Sequence, residues 1–292
     1  MTDITLIGPG AIGSTLAAWL SQNPDHRVTV AVRTPFDSIV LNAPGGILSA
    51  SPHLLTDPAQ ARPADWVLVA TKAYDSAAAA RWFEKGVGPQ TRLAVIQNGV
   101  EHVERFASYV DAGRIVPVMI DCPATRHSPG RVTQGGPVHI VVPAGVNGAA
   151  FVGLFAGLNL DVRETPDFIT AIWKKLCLNS AGAVSTALLA PAGISHHAAV
   201  ADLMRDIVRE CIAVGRARGA VLGDEIAGEI VDRMRSGPRD AANSMLADRR
   251  AGRPMEIDAR NGVIVRYGRE HGIPTPMNAL MVAMLEAVDQ CS

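Results

Sequence analysis

Apolar residues in the first half of the chain come in short continuous runs rather than alternating with polar ones. Residues 4–7, 27–33, 65–71, 92–97 and 115–120 each read as a strand covered on both faces. Segments 14–20, 75–85 and 103–110 between them read as helices, and strand–helix alternation of this kind predicts a parallel sheet with crossover helices. Ile47-Leu48 adds a short strand, and residues 132–142, rich in glycine and β-branched side chains, read as a closing hairpin. From residue 168 the strand signals stop. Helices are expected over 168–189, 197–218, 224–236, from Ser244, over 255–270 and over 277–288. With G-x-G-x-x-G at Gly8–Gly13 directly after the first strand, the pattern predicts an α/β Rossmann dinucleotide-binding domain over 1–165, followed by an all-α domain over 166–292.

Composition narrows the class. The 292 residues suit two domains, and 48% apolar content supplies two cores. A net charge of −1, with no basic run, argues against a nucleic-acid or membrane-surface partner. No apolar stretch approaches the roughly 20 residues that span a bilayer, and no basic-then-apolar leader opens the chain, so a cytoplasmic protein is expected. Cys122, Cys177, Cys211 and Cys291 are scattered without ligand spacing; free thiols and no metal are expected.

The first strand runs straight into Gly8-Pro9-Gly10-Ala11-Ile12-Gly13, a G-x-G-x-x-G loop that opens a helix. Gly8 permits a tight turn, Gly10 lets backbone approach a pyrophosphate, and Gly13 lets the helix pack on the strand. The second strand ends in Arg33, with no acid beside it to accept from a ribose 2′-hydroxyl. A guanidinium there suits a 2′-phosphate and favours NADP(H). Lys72 and Asn98 end the next two strands on the ligand-binding edge; a solvated lysine and a plain Asn-Gly turn are the structural alternatives.

In Ile172-Trp173-Lys174-Lys175-Leu176-Cys177-Leu178-Asn179 the other helical faces are apolar, so the helix is expected to be buried nearly all round. Lys175 shares one stripe with Ile172, Leu176, Asn179 and Ala183, where an unpaired ammonium is costly. It is either a proton donor to a carbonyl receiving hydride or a lysine that snorkels to water. Asn179, one turn on, would hold a polar substrate group. Ser244 is expected near a helix N-cap, where it suits a carboxylate or simply caps. Glu256 opens the next helix as a dipole partner or as part of the site, and Gly262 inside that helix suggests close approach of another helix.

Taken in order, these segments resemble the ketopantoate reductase (2-dehydropantoate 2-reductase) family nearly end to end. The likeness runs through the Gly8–Gly13 loop, Lys72-Ala73-Tyr74, Gln97-Asn98-Gly99, Trp173-Lys174-Lys175-Leu176 with Asn179, Ser244-Met245-Leu246 with Asp248, and Glu256-Ile257-Asp258-Ala259 with Asn261-Gly262. The resemblance implies NADPH-dependent reduction of a small 2-oxo acid, 2-dehydropantoate, to (R)-pantoate on the route to pantothenate and coenzyme A. It implies a helical domain of the 6-phosphogluconate-dehydrogenase-like kind. Lys175 would be the proton donor and Glu256 would support the nicotinamide end. Asn98 would lie where cofactor and substrate meet, and Asn179 and Ser244 would bind substrate.

Three departures bear on which 2-oxo acid is taken. Ala183 stands where many members carry a second asparagine, Ala241 and Ala242 precede Asn243 where an asparagine is often found, and residues 121–126 lack a small hydroxyl-rich segment. A reductase of another 2-oxo acid and a non-catalytic NADP(H)-sensing protein are the alternatives. The apolar last helix packs on its own domain or on a second copy, so a homodimer is one expectation.

Overall fold

The computed structural model describes residues 1–290; Cys291, one of the four thiols considered above, lies outside them. The chain divides into two compact units, one of Met1–Gln97 with Glu101–Phe168, the other of Asn98–Val100 with the chain from Ile169 onward.

The first unit contains strands β1 (Thr2–Ile7), β2 (His26–Ala31), β3 (Ile39–Ala43), β4 (Gly46–Ala50), β5 (His53–Leu55), β6 (Trp66–Val69), β7 (Arg92–Val95), β8 (Ile115–Pro117), β9 (Met119–Asp121), β10 (Ala124–Ser128), β11 (Arg131–Gln134), β12 (His139–Pro143) and β13 (Asp161–Thr165). Its helices are α1 (Ala11–Leu20), α2 (Ser76–Ala80), α3 (Phe83–Gly86) and α4 (Val146–Gly153). Six strands form a parallel sheet in the order β5-β2-β1-β6-β7-β8. Strand order reverses between β1 and β6, and sheets of this kind take ligands at such a point, beyond the strands' C-terminal ends.

The continuous apolar runs have a simple cause. Ile4, Leu6, Leu68 and Ala94 face one core with Leu16 and Leu20 of α1 and Phe151 of α4. Their neighbours Ile7, Val67, Val69, Leu93 and Val95 face a second core with Ala79, Ala80, Phe83 and Phe106. Both faces of the sheet are covered, so both sides of its strands are mostly apolar.

Three local expectations are corrected. Residues 132–142 are not a hairpin: β11 pairs with β10 and β3, whereas β12 pairs with β9 and β13 in another sheet. Gly135-Gly136-Pro137 breaks the run, with the Gly135 N–H donating to the Pro123 carbonyl at 2.6 Å. Segment 103–110 buries Phe106 and Val110 but makes consecutive turns instead of a regular helix. The expected helix over 75–85 is split into α2 and α3 at Arg81-Trp82, where Trp82 N–H closes a tight bond to Ala79 at 3.1 Å.

The second unit carries α5 (Phe168–Ala187), α6 (Ala198–Ala217), α7 (Ile226–Ser236), α8 (Ser244–Arg250), α9 (Val263–Glu270) and α10 (Pro276–Gln290). Trp173 of α5 packs against Gly215 of α6, where any β-carbon would meet the indole at 2.9 Å. Cys177 and Cys211 lie Sγ to Sγ at 3.4 Å as free thiols, and burial pushes the Cys211 thiol well up, holding it protonated. Glu210 of α6 caps α10, accepting from the backbone N–H of Met277 at 2.8 Å and of Asn278 at 2.9 Å. Among the described residues, no helix is long and apolar enough to cross a membrane.

Candidate functional site

In the first unit the glycine loop is built by steric exclusion. Gly8 leaves β1 with φ +91°, and a β-carbon on it would lie 2.7–2.9 Å from Thr71 at the exit of β6. A β-carbon on Gly13 would sit 2.2 Å from the Gly8 carbonyl oxygen. Around Gly10, by contrast, nothing lies within 4 Å of that position. Helix α1 starts at Ala11 with no side-chain cap and no acid in its first turn. Uncapped N–H groups behind an open glycine fit a pyrophosphate, by hydrogen bonding and by the helix dipole. Pro9 and Ile12 complete the loop, and Pro9 O accepts from Ser14 Oγ at 3.0 Å.

Arg33 follows β2 and is 77% exposed, its Nη2 donating to Asp75 Oδ1 at 2.9 Å. Lys72 is half-buried at the exit of β6. Gln97, buried at the end of β7, donates to Thr71 Oγ1 at 2.9 Å and to the Lys72 carbonyl at 3.2 Å, so it ties the exits of two strands together. Its own carbonyl accepts from Nε2 of His102 at 2.8 Å. Sequence reasoning quoted Gln97 only as part of a motif and passed over His102, since nothing in their spacing marks this link.

Burial, with a smaller contribution from Arg105, lowers the His102 pKa from 6.5 to about 3. The unfolded histidine therefore takes up a proton near 6.5 and the folded one only near 3, so protons favour the unfolded chain across that interval. Stability is expected to fall as pH drops from 6.5 toward 3. His102→Gln should lose less melting temperature between pH 7 and pH 4.5 than the parent; an equal loss in thermal melts would remove this role.

In the second unit α5 presents two faces. Trp173 and Cys177 turn to α6, and Lys175 lies about 200° around the helix from Trp173. The expectation of a helix buried nearly all round is corrected: Lys175, Leu178 and Asn179 are half-buried, and Lys174 is exposed with Nζ 3.5 Å from Glu229. Asn98 is counted with this unit although it follows β7 in the chain. Its Nδ2 donates to Oε2 of Glu256 at 2.9 Å, and Glu256 is only 4% exposed.

Ser244 is the first residue of α8, not its cap. Asn243 caps instead, its Oδ1 accepting from the N–H of Met245 and of Leu246 at 3.0 Å, while its Nδ2 donates to Gly182 O of α5 at 2.9 Å. That side chain is consumed structurally, which leaves the Ser244 hydroxyl exposed.

Residues Asp258–Gly262 form a π-helical turn ahead of α9. Such turns insert an extra residue and shift every following side chain around the axis. Gly262 is not required by a neighbouring helix: a β-carbon there would meet Asp258 of its own turn at 2.9 Å. The turn buries Arg260 to 2% exposure, and Nη2 of Arg260 donates to Ser244 Oγ at 2.6 Å. Nε and Nη1 have no hydrogen-bond partner. Burial pulls the guanidinium pKa below its ordinary value, opposed by the Glu256 and Asp248 carboxylates. Beside it Asn261 donates to Asn278 Oδ1 at 2.9 Å and to Ser180 O at 3.3 Å, tying the turn to α10 and α5. Neither the turn nor the burial of Arg260 was foreseen; a lone arginine in an apolar helical stripe is the only signal that points to it.

The structure thus joins Asn98 to Glu256 and Ser244 to Arg260, and sets Lys175 and Asn179 one turn apart on α5. Among the described residues, no group of three histidine, cysteine or acidic side chains could hold a metal ion.

Comparison with known proteins agrees across the chain. The family model described as ketopantoate reductase PanE/ApbA matches residues 4–147, and its C-terminal counterpart matches 167–289. A 2-dehydropantoate 2-reductase from Caulobacter vibrioides is 52% identical, covering 98% of this chain and 99% of its own. One from Mycobacterium tuberculosis is 38% identical over 98% and 97%. The crystal structure of a PanE/ApbA family ketopantoate reductase from Ralstonia eutropha superposes with a TM-score of 0.91 at 27% identity, covering 99% and 98%.

Proposed function

Because this chain belongs to the ketopantoate reductase family, we propose that it reduces 2-dehydropantoate to (R)-pantoate with NADPH. Supporting this is the hydrogen bond between Asn98 and Glu256, 158 residues apart in sequence, which brings two of the proposed site groups together. When bound, the nicotinamide supplies a hydride to C2 of the keto acid. The N–H groups at the start of α1, behind Gly8, Pro9, Gly10, Ala11, Ile12 and Gly13, would hold the pyrophosphate. Arg33 would leave Asp75 for the 2′-phosphate, and Lys72 would add a second cation near it.

Lys175 donates a hydrogen bond to the ketone oxygen, balances the charge growing there, and releases one proton to it. The amine left behind is reprotonated from solvent. Asn179 and Asn98 orient the substrate's polar groups, and Ser244 receives its carboxylate. Glu256, fixed by Asn98, supports the nicotinamide end. We place the reaction in the cytoplasm, which the free thiols of Cys177 and Cys211 support. A homodimer is supported by the exposed Leu280 and Met284 on α10.

Absorbance of NADPH, followed with 2-dehydropantoate and with pyruvate-like acids in parallel, tests the assignment. Preferred turnover of 2-dehydropantoate is expected; preference for another acid would move the substrate, and tight NADPH binding without oxidation would favour a sensor. Arg33→Ala is expected to raise KM for NADPH by about tenfold, the loss of one charge-assisted contact, and to leave KM for NADH within about twofold. Equal changes for both coenzymes would remove Arg33 from the 2′-phosphate site.

A further inference from the structure

We propose that Arg260 is a positioning residue that turns the Ser244 hydroxyl into an obligate hydrogen-bond donor toward the substrate's carboxylate. This rests on the reductase reading above and deepens it.

The inference follows from donor and acceptor counts. A guanidinium carries five N–H donors and no acceptor. With Nη2 of Arg260 at 2.6 Å, Ser244 Oγ accepts, and its own proton has to point elsewhere. Arg260 is buried and Ser244 is exposed, so the hydroxyl is where a buried cation reaches the surface. A bond from a charged donor polarises the O–H and strengthens what it donates in turn. Such a hydroxyl serves an anionic acceptor better than a neutral one.

The guanidinium's Nε and Nη1 carry no partner, and no other residue shares its contact to Ser244 among the described hydrogen bonds. Asp248 is held by Arg253 at 3.0 Å, and Glu256 by Asn98 at 2.9 Å. Their charges act on the guanidinium through space, but neither accepts a hydrogen bond from Nε or Nη1. The π-helical turn is what points Arg260 at Ser244, because the extra residue rotates it out of the register a regular helix would impose.

The test is a double-mutant cycle on the full chain with NADPH. Arg260→Met is expected to raise KM for 2-dehydropantoate by about 30-fold, with kcat lowered less than about threefold and NADPH affinity unchanged. Ser244→Ala should cost a similar factor, and the double variant should be no worse than the poorer single one. On the neutral methyl ester of the same keto acid, Arg260→Met should change KM by less than about threefold, and Arg260→Lys should recover part of the loss on the acid. Additive effects in the cycle, or equal losses on acid and ester, would overturn the proposal. Should Arg260→Met fail to fold, Arg260→Lys carries the same acid-versus-ester comparison with the same two outcomes. If the parent reduces no keto acid, the reductase reading fails by itself. Equilibrium titration with 2-dehydropantoate then decides for Arg260: weakened, non-additive binding in the variants supports it, and unchanged affinity removes it.

Discussion

Lys175→Ala is expected to lower kcat by about a thousandfold, within the range for losing a general acid, while the NADPH dissociation constant stays within about twofold. The expectation rests on where α5 puts the side chain. Trp173 and Cys177 anchor the helix against α6. Lys175 is therefore fixed on the opposite face, half-buried, one turn before Asn179. Its neighbour Lys174 is exposed and engaged with Glu229, so it cannot substitute for it in the same position. Lys174→Ala should accordingly leave kcat nearly unchanged and serves as the control. Steady-state rates on both variants, with NADPH binding measured separately by fluorescence, decide the matter. A Lys175→Ala enzyme within about tenfold of the parent, a barrier difference of only about 1.4 kcal/mol, would show that the proton comes from elsewhere.

The second large effect is steric. Gly13→Ala should both weaken the fold and abolish dinucleotide binding, because the new methyl group would lie 2.2 Å from the Gly8 carbonyl oxygen and 3.0 Å from Leu6. The first obstacle is backbone at the end of the central strand, so neither can move without dragging β1 or α1. Overpacking of this kind typically costs about 1–3 kcal/mol. The displacement also changes the loop whose N–H groups would face the phosphates. Gly10→Ala is the informative contrast, since nothing lies within 4 Å of its β-carbon position. It should leave melting temperature close to the parent and weaken NADPH affinity alone. Thermal melts without coenzyme and binding titrations on the two variants separate these outcomes; a Gly13→Ala protein as stable as Gly10→Ala would refute the packing argument.

Much of the architecture was legible in residue patterns for reasons the structure makes plain. Runs such as Trp66–Val69 are apolar throughout because separate cores lie on the two faces of one parallel sheet. The glycine loop was legible because backbone collisions, not side-chain preferences, dictate its residues. What escaped notice depends on contacts distant in sequence. Segment 132–142 has hairpin composition, yet its two strands find partners in two different sheets. Asn243 and Ser244 are adjacent polar residues, and only the reach of Asn243 to Gly182 decides which of them caps α8. The burial of Arg260 was hard to read for a different reason. Helical periodicity assumes about 3.6 residues per turn, and a π-helical turn breaks that count at the residue concerned.

One further consequence lies in the ownership of Asn98–Val100. These three residues are counted with the helical unit although they sit between β7 and Glu101 in the chain. Dividing the gene near residue 168 would therefore yield a C-terminal fragment whose Glu256 lacks its amide partner. Chimeras that exchange the helical half between relatives would instead pair each Glu256 with the other parent's loop after β7, unless that loop travelled with it. The smallest transferable piece is thus discontinuous in the reading frame, and a two-crossover graft is what carries the native pair intact.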